Sequence, residues 1–155
     1  MHIVIRWLYL AALIVWVGEV VFFSFVVAPA MFRTFPTADA GRVVGAVFPA
    51  YYRLGYGCGA VLLLTNLLLL TGATARGWWG MNAALAVVML AATLYAGIVV
   101  QPRATALRPQ IHDPAAPPTV KAEFDRLHHI AVQLNGTVLI CGVIASIITA
   151  TALRP

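Results

Sequence analysis

Two adjacent histidines, His128 and His129, lie where a charged segment gives way to a long apolar run. An imidazole can ligate a metal ion or a haem iron, and it can carry a proton near neutral pH. Neighbouring residues of a helix point about 100° apart, so the two rings do not easily serve one ligand from the same side. Both are candidate metal ligands. We expect His128 to face the interior of the protein and His129 to face the membrane interface or a partner subunit.

Other polar residues are predicted at or near the depth of His128. Tyr52, Arg53 and Arg103 lie at the ends of apolar runs on the same predicted side, and Asn135 follows His128 along one helical face. An imidazole, a phenol and two guanidinium groups around a groove can hold an anionic, planar or metal-containing ligand. No CxxC, HxxxH or paired-carboxylate spacing occurs, which argues against a zinc or di-iron site.

The ligand that this set favours is a b-type haem, with or without redox activity. His128 would be an axial ligand, and Arg53 and Arg103 would pair with the propionates. A second axial ligand would be Tyr9, His129 or a residue of a symmetry-related subunit. The sequence names no redox partner, and it does not decide whether the protein is an enzyme.

Glu19 is the charged residue of the first apolar run. A carboxylate in the middle of a membrane costs a few kcal/mol, and such groups usually face a bundle interior or a polar cavity. It therefore favours an alternative function, a small-solute or ion transporter with Glu19 and Asn66 at the midplane. A third alternative is a non-catalytic structural membrane subunit, in which Asn66 and Asn135 join helices by hydrogen bonds.

The elements that must position these residues are predicted to be membrane helices. The chain has 155 residues, of which 62% are hydrophobic and 10% charged, whereas about a quarter of the residues of a soluble domain are charged. Its long apolar runs each meet the roughly 20 residues that a membrane-spanning helix needs. The sequence predicts one all-α domain, residues 1–155, an integral membrane four-helix bundle with helices over about 4–32, 50–74, 78–101 and 120–153.

The two long connections are predicted to differ from each other. Residues 33–53 are apolar enough for a short interfacial helix between helices 1 and 2, which begins after Thr37 and ends where Pro49 turns the chain. Residues 101–118 are rich in proline, which indicates an irregular connector. Short matches around Pro29 and Pro102 also indicate a faint repeat of two helical hairpins.

Side chains at helical spacing predict the inward faces. One stripe on helix 1 contains Tyr9, Ala12, Trp16, Glu19 and Phe23, and one stripe on helix 2 contains Tyr52, Gly55, Gly59, Leu62 and Asn66. Gly55 and Gly59 form a GxxxG spacing, which favours close helix packing over a ligand slot.

The charge pattern predicts the environment and the orientation. Seven of the ten Lys and Arg residues lie on the side of the two long connections, which places those connections in the cytoplasm and both termini outside. We expect a bacterial-type inner membrane and a homodimer. The net charge of +5 fits anionic lipid headgroups, and no basic block interleaved with aromatic residues indicates a nucleic-acid surface.

Four segments resemble, in order, the signature segments of the transmembrane protein 205-like family. They read WVGEVVFFSFVVAPAMFR, FPAYYRLGYGCG, QPRATA and FDRLHHIAVQLN, and they span most of the chain. The resemblance implies a four-helix integral membrane protein of unresolved activity, with motif positions at Gly18, Pro49, Pro102, Arg103, His128 and Asn135. Members often carry a histidine where this chain has Tyr9, so a scheme that pairs two family histidines is weakened here.

Overall fold

The computed structural model describes residues 2–72, 76–111 and 116–152, which form a bundle of four long helical spans. Each span is long and apolar enough to cross a membrane. In chain order, spans 1 to 4 cover Ile3–Thr34, Thr37–Thr71, Gly77–Ile111 and Pro118–Thr151. No strand occurs within the described ranges. The prediction of an all-α, four-helix membrane protein is confirmed.

Spans 1 and 3 each contain a π-helical segment, whereas spans 2 and 4 are single helices. Span 1 consists of α1 (His2–Phe22), the first π segment (Phe23–Val27) and α2 (Ala28–Thr34). Span 2 is α3 (Thr37–Gly72). Span 3 consists of α4 (Arg76–Tyr95), the second π segment (Ala96–Val100) and α5 (Gln101–Ile111). Span 4 is α6 (Pro118–Ala152).

A proline follows each π segment at the same distance. Pro29 and Pro102 are each the second residue of the helix that follows. In an α-helix the proline ring clashes with the carbonyl group four residues earlier, and a π turn moves that carbonyl by one residue. Both π segments therefore lie where this clash falls, and the shared pattern agrees with the faint sequence repeat.

The prediction of a short interfacial helix between helices 1 and 2 is wrong. Thr37 begins a helix, but that helix continues through Pro49 to Gly72 without a break. Prolines are tolerated inside membrane helices because neighbouring groups and small local adjustments satisfy the freed backbone groups. The apolar side of this stretch also faces inward at Val44, which is 6% exposed.

The irregular connector predicted for 101–118 is also largely wrong, because Gln101–Ile111 is helical and extends span 3. Residues 112–115, which include His112, lie outside the described residues, as do the predicted helix ends at 74 and 153. Pro118 begins span 4.

The four spans pack in a ring in chain order, with span 4 against span 1. Where spans 1 and 2 meet, Trp16 lies over Gly55 and Gly59. A Cβ atom added at Gly55 would lie 3.1 Å from the indole ring, and one added at Gly59 would lie 3.0 Å from it. The GxxxG spacing therefore serves helix packing, as the sequence favoured.

The predicted inward stripes agree with the burial of their members. The buried residues of the two stripes are Tyr9, Ala12 and Trp16 on span 1, and Tyr52, Gly55, Gly59, Leu62 and Asn66 on span 2.

Candidate ligand-binding cavity

A cavity of about 970 Å³ occupies the half of the bundle where span 1 connects to span 2 and span 3 approaches span 4. All four spans contribute to its lining. Most of the lining side chains are aromatic or aliphatic, with a small number of polar groups between them. Ligand sites in proteins typically have this size and this mixture, so the cavity is the candidate functional site.

One wall of the cavity is aromatic. Phe48, Tyr51 and Tyr52 lie on one face of α3, and Phe23 approaches them from the first π segment. The Phe48 and Tyr52 rings stack with centroids 5.7 Å apart, and the Phe23 and Tyr51 centroids are 5.0 Å apart. The edge-on and offset contacts hold these rings in a fixed arrangement, so the wall offers a rigid apolar surface.

A chain of hydrogen bonds joins three spans at this wall. The Tyr51 hydroxyl donates to Asn135 Oδ1 at 2.5 Å, and Asn135 Nδ2 donates to Ser24 Oγ at 2.8 Å. All three side chains line the cavity. Because Ser24 accepts in this chain, its own hydroxyl hydrogen is left to donate. Ser24 therefore offers a donor to an acceptor atom of a ligand.

Charged groups of both signs line the rim. Arg42 Nη2 donates to Asp39 Oδ1 at 2.8 Å, and both side chains are largely exposed. Asp125, His128 and Arg108 complete the charged and ionisable part of the rim. Within the described ranges Arg108 makes no ion pair, so its charge is the one that a bound anion can meet most directly.

Arg108 also ties α5 to α3. Its Nη1 donates to the carbonyl oxygen of Gly41 at 2.8 Å. A Cβ atom at Gly45 would overlap the guanidinium group, so this glycine is required for the arginine to reach across. The helical continuations of spans 2 and 3, which the sequence did not predict, therefore position the rim.

Three of the predicted site residues come together in the cavity. Tyr52, Asn135 and His128 all line it. The His128 side chain is exposed as well, which places it at the rim, whereas the other two lie deeper. These three residues come from spans 2 and 4.

Arg53 and Arg103, predicted to meet propionates, lie outside the cavity lining. Both are exposed, and Arg53 Nε donates to the Pro49 carbonyl of its own helix at 3.0 Å. The α3 helix turns Tyr52 inward, so the next residue along points away from it.

The two predicted imidazole ligands do not converge. The ring centroids of His128 and His129 are 6.3 Å apart and their planes are nearly perpendicular. Nδ1 of His129 donates to the Asp125 carbonyl oxygen at 2.7 Å, which fixes that ring against its own helix. No group of three His, Cys, Asp or Glu side chains that could hold a metal ion occurs in the part of the chain that the structure describes.

Tyr9, Asn66 and Glu19 lie outside the cavity lining. Tyr9 and Asn66 are buried in the opposite half of the bundle. Glu19 is partly buried, and its Oε2 atom is enclosed without a hydrogen-bond partner among residues 2–72, 76–111 and 116–152. It lies roughly midway along span 1.

Sequence reasoning missed Ser24, Tyr51 and Arg108. Ser24 is a lone small polar residue in an apolar run, and Tyr51 precedes the chosen Tyr52. Pairing Ser24 with Asn135 by depth was the available signal, because both lie between about one and two turns from the ends of their apolar runs. Arg108 carried no such signal, because the stretch around it was predicted to be irregular.

These features define a multi-pass α-helical membrane protein with an amphipathic cavity between its spans. The chain belongs to the family described as domain of unknown function (DUF4149), whose family model matches residues 11–113. The matched region covers most of span 1 and all of spans 2 and 3, with the aromatic wall, Ser24 and Arg108. No curated protein and no solved structure matches the chain.

Proposed function

We propose that this membrane protein binds a lipid-soluble, amphipathic ligand in the cavity between its four spans. The observation that carries the proposal is the cavity itself, about 970 Å³ of mostly apolar lining with a few placed polar groups. Such a ligand would reach the site from the bilayer, lay its apolar body on the aromatic wall and turn its polar groups toward Ser24 or the rim.

Haem b is the specific ligand that we propose first. His128 lines the cavity and supplies one imidazole, and Arg108 lines it and can pair with a propionate. These two residues would hold the group, with the imidazole at the iron and the guanidinium group at a propionate. Bound haem would supply one-electron or ligand-binding chemistry at its iron. Tyr9 and His129 are placed away from His128, so a five-coordinate haem is better supported than a six-coordinate one.

Titration of the detergent-purified protein with haemin, followed by the Soret absorption, tests the haem proposal. We expect saturable binding that His128→Ala removes and His129→Ala retains, because only the first imidazole lines the cavity. Equal titration curves for the two variants would contradict His128 as the ligand. If the wild-type protein gives no saturable Soret change, haem is not the ligand.

A small-solute or ion transporter is the second candidate, and one observation favours it. The enclosed Glu19 Oε2 has no partner in the described part of the chain, and an intramembrane carboxyl group of this kind usually marks a proton or cation path. Reconstituted protein would then show pH-dependent flux that Glu19→Gln reduces. Identical flux in both proteins would remove Glu19 from the mechanism.

We also propose the membrane in which the chain lies and its orientation there. The basic residues near the long connections support a bacterial-type inner membrane with those connections in the cytoplasm and the termini outside. We propose further that the protein forms a homodimer and that it is related to the transmembrane protein 205-like family. If His128→Ala changes only thermal stability or oligomeric state, the structural-subunit alternative is favoured instead.

A further inference from the structure

The cavity reaches the outer surface of the bundle between spans 1 and 4. Two of its lining side chains, Phe32 of span 1 and Val132 of span 4, are 48% and 56% exposed. His128, about one turn before Val132 on α6, also lines the cavity and is exposed. Because the cavity is open over part of its surface, side chains that both line it and face outward mark an opening.

The bounds of this opening follow from the contacts between the two spans. Span 1 lines the cavity with Ser24, Ala28 and Phe32, which recur every four residues. At the inner end the spans are joined, because Asn135 Nδ2 donates to Ser24 Oγ at 2.8 Å. Toward the rim α2 packs against α3, whereas α2 and α6 make at most a marginal contact in the described chain. We define the window as the gap between these spans that is bounded by Ser24, Ala28, Phe32, His128, Val132 and Asn135.

The neighbouring spans on the other sides of the cavity pack together closely. Spans 1 and 2 are joined there by the packing of α2 on α3. Between spans 2 and 3, a Cβ atom added at Gly97 would lie 2.7 Å from the Tyr52 ring. Spans 3 and 4 are joined by a buried cluster of Val100, Ala104 and Leu127. The window is therefore the side on which the cavity meets the bilayer.

A second opening lies at the rim and has a different chemistry. Arg42 and Thr105 line the cavity there and are exposed. The Arg108 guanidinium group crosses between spans 3 and 2 at this place to reach the Gly41 carbonyl oxygen at 2.8 Å. A hydrocarbon chain that passed here would separate charged groups from water, which is costly. The rim therefore suits polar molecules, and the window suits apolar ones.

The window lies near the headgroup end of the hydrocarbon layer. On span 1 Arg33 follows Phe32 directly, and on span 4 Asp125 and Arg126 precede His128. Charged side chains are costly in the hydrocarbon layer, so these residues mark the membrane interface. The inner part of the window, toward the bond between spans 1 and 4, lies within the apolar runs of both spans and meets lipid chains.

We propose that the window is an entrance from the bilayer, through which the hydrocarbon chain of a membrane lipid reaches the aromatic wall. This inference rests on the proposed function, that the cavity binds an amphipathic ligand, and it names the route and a class of ligand. An apolar cavity disfavours water, whereas a hydrocarbon chain gives the aromatic and aliphatic lining dispersion contacts along its length. The lipid headgroup stays at the membrane interface beside the window. Haem would displace such a chain.

Photolabelling in a bilayer tests the entrance. The full chain is reconstituted into vesicles of phosphatidylethanolamine and phosphatidylglycerol that contain a small fraction of a phospholipid with a diazirine group on one acyl chain. After illumination, mass spectrometry locates the labelled residues. We expect label on Tyr51 or Tyr52, which line the cavity and are each only 9% exposed. Phe25, which is 65% exposed, faces lipid and should be labelled in every variant.

A bulky side chain in the window should block this labelling. We expect Ala28→Trp to lose the label at the two tyrosines, because the indole ring fills the gap. Ala30→Trp is the matched control, because Ala30 is exposed on the same helix and does not line the cavity; it should keep the label. If Ala28→Trp does not fold, Val132→Trp replaces it, with Gln133→Trp, exposed and outside the lining, as its control.

Two results would overturn the proposal. One is a wild-type protein labelled at Phe25 but at neither tyrosine, which would mean that no lipid chain enters. The other is unchanged labelling of the tyrosines when the window is blocked, which would mean that the chain enters elsewhere. Haemin titration in detergent needs no entrance from a bilayer. Saturable haemin binding together with either result would therefore reject the entrance and leave the proposed function standing.

Discussion

Substituting Gly59 by alanine tests the packing that positions the aromatic wall. A Cβ atom there would lie 2.7 Å from Leu90 Cδ1 and 3.0 and 3.2 Å from two ring atoms of Trp16. The leucine methyl group is the end of a flexible side chain and can move. The indole is 1% exposed, and it lies between Gly55 and Gly59, so it cannot move without shifting span 1 against span 2.

The size of the effect follows from two opposing terms. Overpacking a well-filled core costs about 1–3 kcal/mol, and replacing glycine by alanine in a helix returns up to about 1 kcal/mol. We therefore expect Gly59→Ala to lower the free energy of unfolding by about 1–2 kcal/mol. Gly57 is the matched control, because it is exposed on the same helix with nothing within 4 Å of an added Cβ atom. Gly57→Ala should be neutral or stabilising.

Thermal unfolding followed by circular dichroism in one detergent measures both variants. A difference of about 2 kcal/mol between them corresponds to about 4–8 °C in Tm for a chain of this size, with Gly59→Ala the less stable. If Gly59→Ala is as stable as Gly57→Ala, or more stable, Trp16 does not pack against Gly55 and Gly59. The placement of span 1 beside the cavity would then be wrong.

Other substitutions test the hydrogen bonds and charges around the cavity in the same unfolding assay. Tyr51→Phe should destabilise the protein by about 1–2 kcal/mol, because it leaves Asn135 Oδ1 without a donor; an unchanged Tm would mean that this bond contributes nothing. Arg108→Ala should cost about 1–3 kcal/mol through the lost bond to the Gly41 carbonyl, and no change would show that α5 does not depend on it. Asp39→Asn should change stability by less than about 1 kcal/mol, because its partner arginine is 80% exposed; a large loss would contradict the exposed geometry of that pair.

The spans and their inward faces could be predicted from the sequence because they depend on local patterns. Apolar runs long enough for a bilayer identify spans, and helical spacing identifies the stripe that contains Gly55, Gly59 and Asn66. These rules use residues that are neighbours in sequence or one turn apart. The GxxxG spacing predicted a packing contact for the same reason.

The rim of the cavity could not be predicted in this way. Proline rules assigned Pro49 and the stretch around Arg108 to turns or irregular chain, but both segments are helical. Their continuation depends on contacts between spans, such as the bond from Arg108 to Gly41. Which basic residues face inward depends on that continuation. Without it, the sequence predicted Arg53 and Arg103 at the cavity and missed Arg108.

Cysteine accessibility at Ser24 is the most direct test of an open cavity between the spans. In a variant without Cys58 and Cys141, Ser24→Cys would face the cavity, whereas Phe25→Cys, at the next position and nearly the same depth, would face lipid, because Phe25 is 65% exposed. A small charged methanethiosulfonate reagent, added to protein in membrane vesicles, should modify Ser24→Cys much faster than Phe25→Cys. Equal rates, or faster reaction at Phe25→Cys, would contradict the cavity.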